Sequence, residues 1–190
     1  MTMTSTPARA GAAEIRLARR TALVALGVAV IMISAYVRVP MWPVPMTMQT
    51  FAVMMLGAAY GPALAGLSVV AYLALGAAGV AVFAGGVGGA AYLAGPTGGY
   101  LVGFLLAAMA VGALARRGWD RSFLGMGGAL LIGNVALYAC GLGWLSYLFA
   151  AEKGFGWVLH MGLAIFLPGD VLKLALGALL VPTLRKAFVR

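Results

Sequence analysis

Long apolar stretches dominate the chain, and short segments that carry charge, proline or glycine separate them. Residues 39–115 contain no Asp, Glu, Lys, Arg or His. A stretch of this length accommodates three membrane crossings of about 20 residues each, together with their connections. The apolar residues come in blocks of Ala, Leu, Met and Gly that do not alternate with polar residues, so the pattern predicts helices rather than strands.

Breaks in the apolar pattern predict where the helices end. Three prolines between residues 39 and 45 exclude a helix there, because proline lacks a backbone N–H and restricts the residue before it. Gly61-Pro62 predicts a tight stop and restart. We therefore predict an all-α integral membrane protein with six transmembrane helices, over residues 21–37, 47–60, 63–77, 97–115, 124–145 and 162–182. Residues 39–45, the glycine-rich segment 79–99 and residues 146–161 are predicted to be loops on the outer side.

Composition and charge place the protein in the membrane and orient it. The chain is 64% hydrophobic and 9% charged, which excludes an ordinary soluble domain. Its net charge of +9 does not predict nucleic-acid binding, because the basic residues flank apolar segments. With six crossings, ten of the basic residues fall on one side of the membrane. The positive-inside rule then places both termini and the loop at residues 116–121 in the cytoplasm. These ten residues are Arg9, Arg16, Arg19, Arg20, Arg116, Arg117, Arg121, Arg185, Lys186 and Arg190.

The predicted organisation is a single membrane domain with short cytoplasmic ends. Residues 1–20 form a cytoplasmic leader, residues 21–185 a six-helix membrane domain, and residues 186–190 a cytoplasmic tail. No signal peptide is expected, since the first apolar segment has the length of a membrane span and no small-residue cleavage pattern. We expect a multi-pass protein of the inner (cytoplasmic) cell membrane, in contact with membrane lipid. Cys140 is the one cysteine and lies in a predicted span, so no intramolecular disulfide forms.

Asp170 and Lys173 are the two ionisable residues of the last apolar stretch, residues 161–184. A charge at bilayer depth costs about 2.5–3.5 kcal/mol on insertion scales, so such residues face a bundle interior or a wet cavity and mark ligand or ion sites. Their i, i+3 spacing puts both side chains on one helical face. They either grip a polar ligand or form a structural ion pair that joins helices, and the sequence leaves both interpretations open.

Other candidate residues lie in or beside the predicted spans. Gly95-Pro96-Thr97-Gly98-Gly99-Tyr100 combines a helix start with a hydroxyl and with glycines that let backbone approach a ligand, although packing on a neighbouring helix explains the glycines equally well. Gln49 and Asn134 are polar groups that need partners in the membrane, and an interhelical hydrogen bond is the default for each. Ala25 and Ala29 form a smooth helical surface for another helix, in this chain or in a partner.

No enzyme is expected from the residue pattern. The chain has no paired carboxylates, no plausible Ser-His-Asp set and no P-loop, so it does not hydrolyse ATP by the usual chemistry. His160 has no second ligand at metal-binding spacing, and neither a metal nor a cofactor is expected. Any active transport must therefore draw energy from a separate ATPase or an ion gradient.

Four segments together resemble the BioY family, the biotin-binding S components of energy-coupling factor (ECF) transporters. The resemblance extends over about residues 20–185, and the motifs occur in the family's order. They are Val39-Pro40 with Pro43-Val44-Pro45-Met46-Thr47-Met48-Gln49-Thr50, the turn Gly79 to Phe83, Gly95-Pro96-Thr97-Gly98-Gly99-Tyr100-Leu101, and Pro168-Gly169-Asp170-Val171-Leu172-Lys173.

The resemblance implies a six-helix subunit that captures biotin from the outer side. It also implies two kinds of partner, a transmembrane coupling protein that packs on Ala25 and Ala29, and a pair of cytoplasmic ATPases. Asp170, Lys173 and Tyr100 match the family's polar pair and pocket tyrosine. Some members carry a basic residue directly before Pro-Thr-Gly-Gly-Tyr, where this chain has Gly95, so the group that completes the polar contacts stays open.

Biotin's chemistry fits the candidate residues. Its ureido ring offers N–H donors and a carbonyl acceptor, its bicycle is apolar, and its valerate chain ends in a carboxylate. Asp170 accepts from N–H groups and Lys173 neutralises a carboxylate, while the apolar walls come from Phe83, Tyr92, Trp144 or Trp157. The predicted ligand-binding residues are Asp170, Lys173, Tyr100, Thr97, Gln49, Asn134 and Phe83. The alternative function is a small membrane scaffold or passive channel with a structural Asp170/Lys173 pair. Whether the subunit forms a homo-oligomer stays open.

Overall fold

The computed structural model describes residues 7–188, with side chains from residue 13 to residue 185. The first six residues of the predicted leader and residues 189–190 of the predicted tail lie outside the described residues. The elements run in the order α1 (Pro7–Tyr36), β1 (Arg38–Val39), β2 (Met46–Thr47), α2 (Gln49–Tyr60), α3 (Pro62–Ala77), α4 (Ala90–Ala94), α5 (Gly98–Arg116), α6 (Phe123–Lys153), α7 (Phe155–Gly162) and α8 (Leu167–Phe188). Short 3-10 turns cover Trp119–Arg121 and Ala164–Phe166.

Among the described residues, four helical stretches are long and apolar enough to cross a membrane, judged by length and composition. They are Ala13–Tyr36, Gly98–Arg116, Phe123–Lys153 and Phe155–Arg185. Helix α3 is apolar but shorter, and α2 has 12 residues, about 18 Å of helix against a hydrocarbon core of about 30 Å. The all-helical membrane class is thus supported, while the count of six crossings stays a prediction.

The prediction of an outer loop at residues 146–161 is wrong. Helix α6 continues through it to Lys153, and α7 follows after Gly154, whose φ of 82° favours glycine. The segment contains no proline, and Ala150 and Ala151 precede a charged pair that favours helix as readily as loop, so nothing local ends the helix before Gly154. The prediction ended this helix at the expected length of a membrane crossing, and so placed its end too early.

Other boundaries differ by a few residues. Helix α1 begins at Pro7, well inside the predicted leader, and α8 begins at Leu167, because a 3-10 turn occupies part of the predicted sixth span. Thr47, predicted to start a helix, lies in β2. The proline-rich segment is a hairpin connection between β1 and β2, in agreement with the predicted loop.

Small residues set the close packing of the bundle's centre. A Cβ added to Gly103 of α5 would lie 2.8 Å from the carbonyl oxygen of Leu137 in α6, and one added to Gly57 of α2 would lie 2.5 Å from that of Ala108 in α5. Such contacts let helix backbones approach each other closely in a membrane. Large apolar side chains cover the outward faces of α6 and α8, among them Leu131, Val135, Val171, Leu172 and Leu179.

Aromatic clusters hold the non-helical segments against the bundle. Trp42, in the β1–β2 connection, packs on Phe149 of α6 and Trp157 of α7, with ring centroids 6.1 Å and 5.6 Å away. In the α3–α4 segment, Phe83 lies edge-on to Tyr72 and stacks on Tyr92. These contacts place both connections at the same end of the bundle, around the start of α2.

Candidate ligand-binding site

A cavity lies between the β1–β2 connection, the α3–α4 segment, the starts of α2, α5 and α8, and the middle of α6. Its walls combine apolar side chains with a few polar groups, as small-molecule sites do. The lining residues are Val44, Pro45, Met46, Thr47, Gln49, Thr50, Ala84, Thr97, Tyr100, Phe104, Leu137, Tyr138, Phe166, Asp170 and Lys173.

Asp170 and Lys173 form the charged part of this wall. Both lie near the start of α8, and their side chains are 6% and 10% exposed. Lys173 Nζ donates to Asp170 Oδ1 at 3.2 Å. Because Asp170 is in the first turn, the N-terminal end of the helix dipole favours its negative charge. Asp170 and Lys173 also line a second, smaller cavity.

Three further side chains hold this pair in place. Tyr138 Oη donates a short hydrogen bond to Asp170 Oδ2, and Asn134 Nδ2 donates to the same oxygen at 3.5 Å. Lys173 Nζ also donates to Thr50 Oγ1 at 3.0 Å. The ammonium group thus uses two of its three donors within the protein, and one is left for a ligand.

Gln49 belongs to a second polar group on the cavity wall. Its Nε2 donates to Tyr72 Oη at 2.7 Å, and Tyr72 Oη donates to the carbonyl oxygen of Val82 at 3.2 Å. Thr47 Oγ1 donates to Gln49 Oε1 at 3.3 Å. This chain of bonds links α2 and α3 to the α3–α4 segment, so Gln49 is fixed by its neighbours rather than free to rotate.

The Pro-Thr-Gly-Gly-Tyr segment forms the opposite wall. Thr97 and Tyr100 line the cavity, and Tyr100 Oη donates to the carbonyl oxygen of Gly162 at 2.7 Å. Gly99 lies against α6, where an added Cβ would come within 2.3 Å of Trp144 Cβ. Helix packing therefore accounts for Gly99. The sequence left open two interpretations of this glycine, approach of the backbone to a ligand and packing on a neighbouring helix, and the contact with Trp144 agrees with the second.

Two predicted ligand residues lie outside the larger cavity. Phe83 is fully buried between Tyr72 and Tyr92, and its neighbour Ala84 lines the cavity in its place. Asn134 borders the smaller cavity and reaches the site through Asp170. Their roles as ligand contacts stay predictions.

Sequence reasoning missed Tyr138, Thr50 and Tyr72. Tyr138 follows Asn134 by four positions, so the helical face that carries Asn134 could have drawn attention to it. Thr50 ends the first of the four motifs, directly after Gln49, whereas Tyr72 carries no such signal, because its partner Gln49 is far away in the chain.

The small residues of α1 lie far from the cavity wall. Ala25 is exposed and Ala29 is partly exposed, whereas Gly27 between them faces Ser68 of α3. The surface around Ala25 is therefore open in the isolated chain, and the neighbouring face of α1 packs within it.

Comparisons with known proteins agree with the motifs. The family model described as "BioY family" matches residues 3–190. The chain is 36% identical over 168 residues to the "Probable biotin transporter BioY" of Pyrococcus horikoshii, covering 88% of this chain and 97% of that protein. It is also 36% identical over 159 residues to the "Biotin transporter BioY" of Thermotoga maritima, covering 83% and 90%.

A solved structure gives the same result for the fold. The S-component for biotin from an ECF-type ABC transporter superposes with a TM-score of 0.79 and 31% sequence identity, covering 90% of this chain and 93% of that one. The named relatives are transporters, which confirms the prediction that the chain is not an enzyme. A match along nearly the whole chain, with relatives similar over most of their own length, shows that the chain belongs to the BioY family.

Proposed function

We propose that the protein is a biotin-binding membrane subunit that captures biotin from the outer side, with energy supplied by a separate ATPase module. The observation that carries the proposal is the buried Asp170–Lys173 pair in the wall of a largely apolar cavity. A buried ion pair contributes little to stability by itself, so a ligand role accounts for its presence better than a structural one. The relatives are named as biotin transporters, and we therefore propose biotin as the ligand.

The cavity's polar groups suit the ureido ring of biotin. Asp170 offers a carboxylate oxygen to an N–H group, and the remaining donor of Lys173 suits the neighbouring carbonyl. Phe104, Leu137 and Phe166 offer apolar contact to the bicycle. Tyr100, Thr97 and Gln49 are the proposed polar contacts along the opposite wall. Asn134 acts on the ligand through Asp170. Phe83 stays a proposed contact, although it is not among the residues that line the cavity.

The orientation follows from the basic loop. Tyr100, at the cavity, and Arg116 lie near opposite ends of α5, about 24 Å apart along the helix axis. With Arg116, Arg117 and Arg121 on the cytoplasmic side, the cavity opens on the outer side. We propose six crossings of the inner membrane by residues 21–185, with residues 1–20 and 186–190 in the cytoplasm. The short helices α2 and α3 then tilt or are covered by neighbouring protein.

The partners are a transmembrane coupling protein and two ATPase subunits. The open surface at Ala25 and Ala29 supports contact between α1 and the coupling protein, because small residues let a second helix approach closely. The solved structure of similar fold is the S-component for biotin from an ECF-type ABC transporter, which supports a partner of this kind.

Calorimetry on the purified protein in detergent tests the proposal. We expect one biotin per chain and no ATP hydrolysis by the protein alone. A folded protein that gives no heat with biotin, or that responds to a different vitamin, would contradict the assignment. Mass spectrometry of small molecules that co-purify with the protein gives an independent check.

A membrane scaffold or passive channel is the second candidate function. It is favoured by the internal hydrogen bonds of Asp170, since three side chains already satisfy this carboxylate without a ligand. A channel predicts ion conductance in planar bilayers without saturable biotin binding. A biotin-binding subunit predicts saturable biotin binding without ion conductance.

A further inference from the structure

The charge of the proposed site does not balance the charge of biotin. The lining contains one carboxylate, Asp170, and one ammonium group, Lys173, and these two neutralise each other at 3.2 Å. Biotin brings a carboxylate of its own at neutral pH. A carboxylate without a cationic or hydrogen-bonding partner is costly to take out of water, so the complete site needs a further basic group.

Arg38 is not itself a lining residue, but it lies beside the cavity, where the β1–β2 hairpin meets the α3–α4 segment. In the antiparallel pair it stands directly opposite Thr47, and residues opposite each other in such a pair project to the same face. Thr47 lines the cavity. The guanidinium of Arg38 reaches the α3–α4 segment, where Nη1 lies 2.9 Å from the position of a Cβ added to Gly85, next to the lining residue Ala84.

The guanidinium is available for a ligand. Arg38 is exposed, and it forms no ion pair or side-chain hydrogen bond with any residue that the structure describes. Lys153, a basic residue at the end of α6, is by contrast paired with Glu152 at 2.8 Å. The planar fork of an arginine suits bidentate binding of a carboxylate better than an ammonium group does.

We infer that Arg38 binds the carboxylate of the ligand at the mouth of the cavity, while the buried Asp170–Lys173 pair binds the ureido ring. This inference rests on the proposed function. The ligand then lies with its polar ring deep in the bundle and its charged end toward the outer solution. Its carboxylate would also join the β1–β2 hairpin to the α3–α4 segment, because Arg38 contacts both.

The test compares two ligands, biotin and its uncharged primary amide, on the full chain in detergent. We expect Arg38→Met to weaken biotin binding by about 10–100-fold, the range for losing one well-placed charged contact, and to change amide binding less than about two-fold. Arg38→Lys keeps the charge and should retain part of the preference for biotin over the amide. The matched control is Arg117→Met, an exposed arginine at the other end of α5, which should leave both affinities unchanged.

The outcomes separate this inference from the proposal on which it rests. An equal loss for biotin and the amide in Arg38→Met would mean that Arg38 only holds the fold, and unchanged binding of both would mean that it makes no contact. Either result overturns the role of Arg38 while biotin binding by the wild type stands. A wild-type protein that binds neither compound would overturn the proposed function itself, and this inference with it.

Discussion

Each end of α8 carries an acid–base pair, and the two pairs differ in their surroundings. Asp170 and Lys173, near the start of the helix, have side chains that are 6% and 10% exposed and line a largely apolar cavity. Arg185, near the other end, pairs with Asp120 of the 3-10 turn, and the arginine side chain is 35% exposed while that of Asp120 is 12% exposed. Arg116 and Arg121 border the polar cavity beside this second pair.

The comparison shows that burial and neighbours, rather than residue type, decide what an acid–base pair does. The Asp120–Arg185 pair ties the α5–α6 turn to α8, and its arginine is partly exposed to solvent, which weakens the attraction between the two charges. The Asp170–Lys173 pair lies inside the bundle, where desolvation offsets most of its attraction. The first pair therefore acts as a tie between elements, and the second suits a ligand.

The largest expected effect comes from removing one charge of the buried pair. Asp170→Asn or Lys173→Met should each cost about 2–5 kcal/mol of biotin binding, because a ligand group or a buried charge loses its partner. The free energy of unfolding should fall by less. Calorimetry and chemical unfolding of the same samples give both quantities.

Asp120→Asn is the matched control at the other end of α8. It should leave biotin affinity unchanged and lower stability by about 1 kcal/mol, since water can solvate the partly exposed Arg185 that loses its partner. A purely structural role for Asp170 would give a different pattern, in which the single changes cost about 3–5 kcal/mol of stability with or without biotin.

Replacing both members of the buried pair sharpens the comparison. Asp170→Leu combined with Lys173→Met removes both charges, so stability should return toward the wild-type value, because no charge is left unpaired. Biotin binding should stay lost. A double variant that is well folded and still binds biotin tightly would refute the ligand role of the pair.

A smaller effect is expected from Tyr138→Phe. The change removes the hydrogen bond to Asp170 Oδ2 and leaves the ring in place. A hydrogen bond to a charged group contributes about 1.5–3 kcal/mol, and we expect a loss of biotin affinity toward the lower end, since Asn134 still donates to the same oxygen. Titration calorimetry measures the loss, and an affinity equal to the wild type would show that Tyr138 does not position the carboxylate.

The smallest effect on affinity is expected on the open face of α1. Replacing Ala25 and Ala29 together by leucine should leave biotin affinity in detergent within a few-fold of the wild type, because neither residue lines the cavity. Uptake driven by the partner proteins should be abolished, since bulky side chains block close helix approach. Uptake into cells and binding in detergent are measured in parallel, and an equal loss of both would show that this face packs within the subunit.

Much of the fold was predictable because it depends on local properties of the chain. Proline and glycine positions marked the ends of α2 and α3 correctly, since backbone geometry acts over one or two residues. The helical course of residues 146–153 was not predicted in this way. An apolar segment with good helix formers continues as helix until backbone or packing stops it, and here the stop is at Gly154 rather than at the expected membrane boundary.

The sequence by itself determined the membrane class, the family, and the placement of Asp170 and Lys173 on one helical face, because hydropathy, motif and helical periodicity are properties of neighbouring residues. Only the tertiary structure decided which groups surround that pair. Thr50 meets Lys173 across 123 positions, and Tyr138 meets Asp170 across 32. Arg38 stands opposite the lining residue Thr47 because a two-residue strand pair joins residues nine positions apart. Contacts of this kind depend on how the elements pack, and no pattern within a single segment records them.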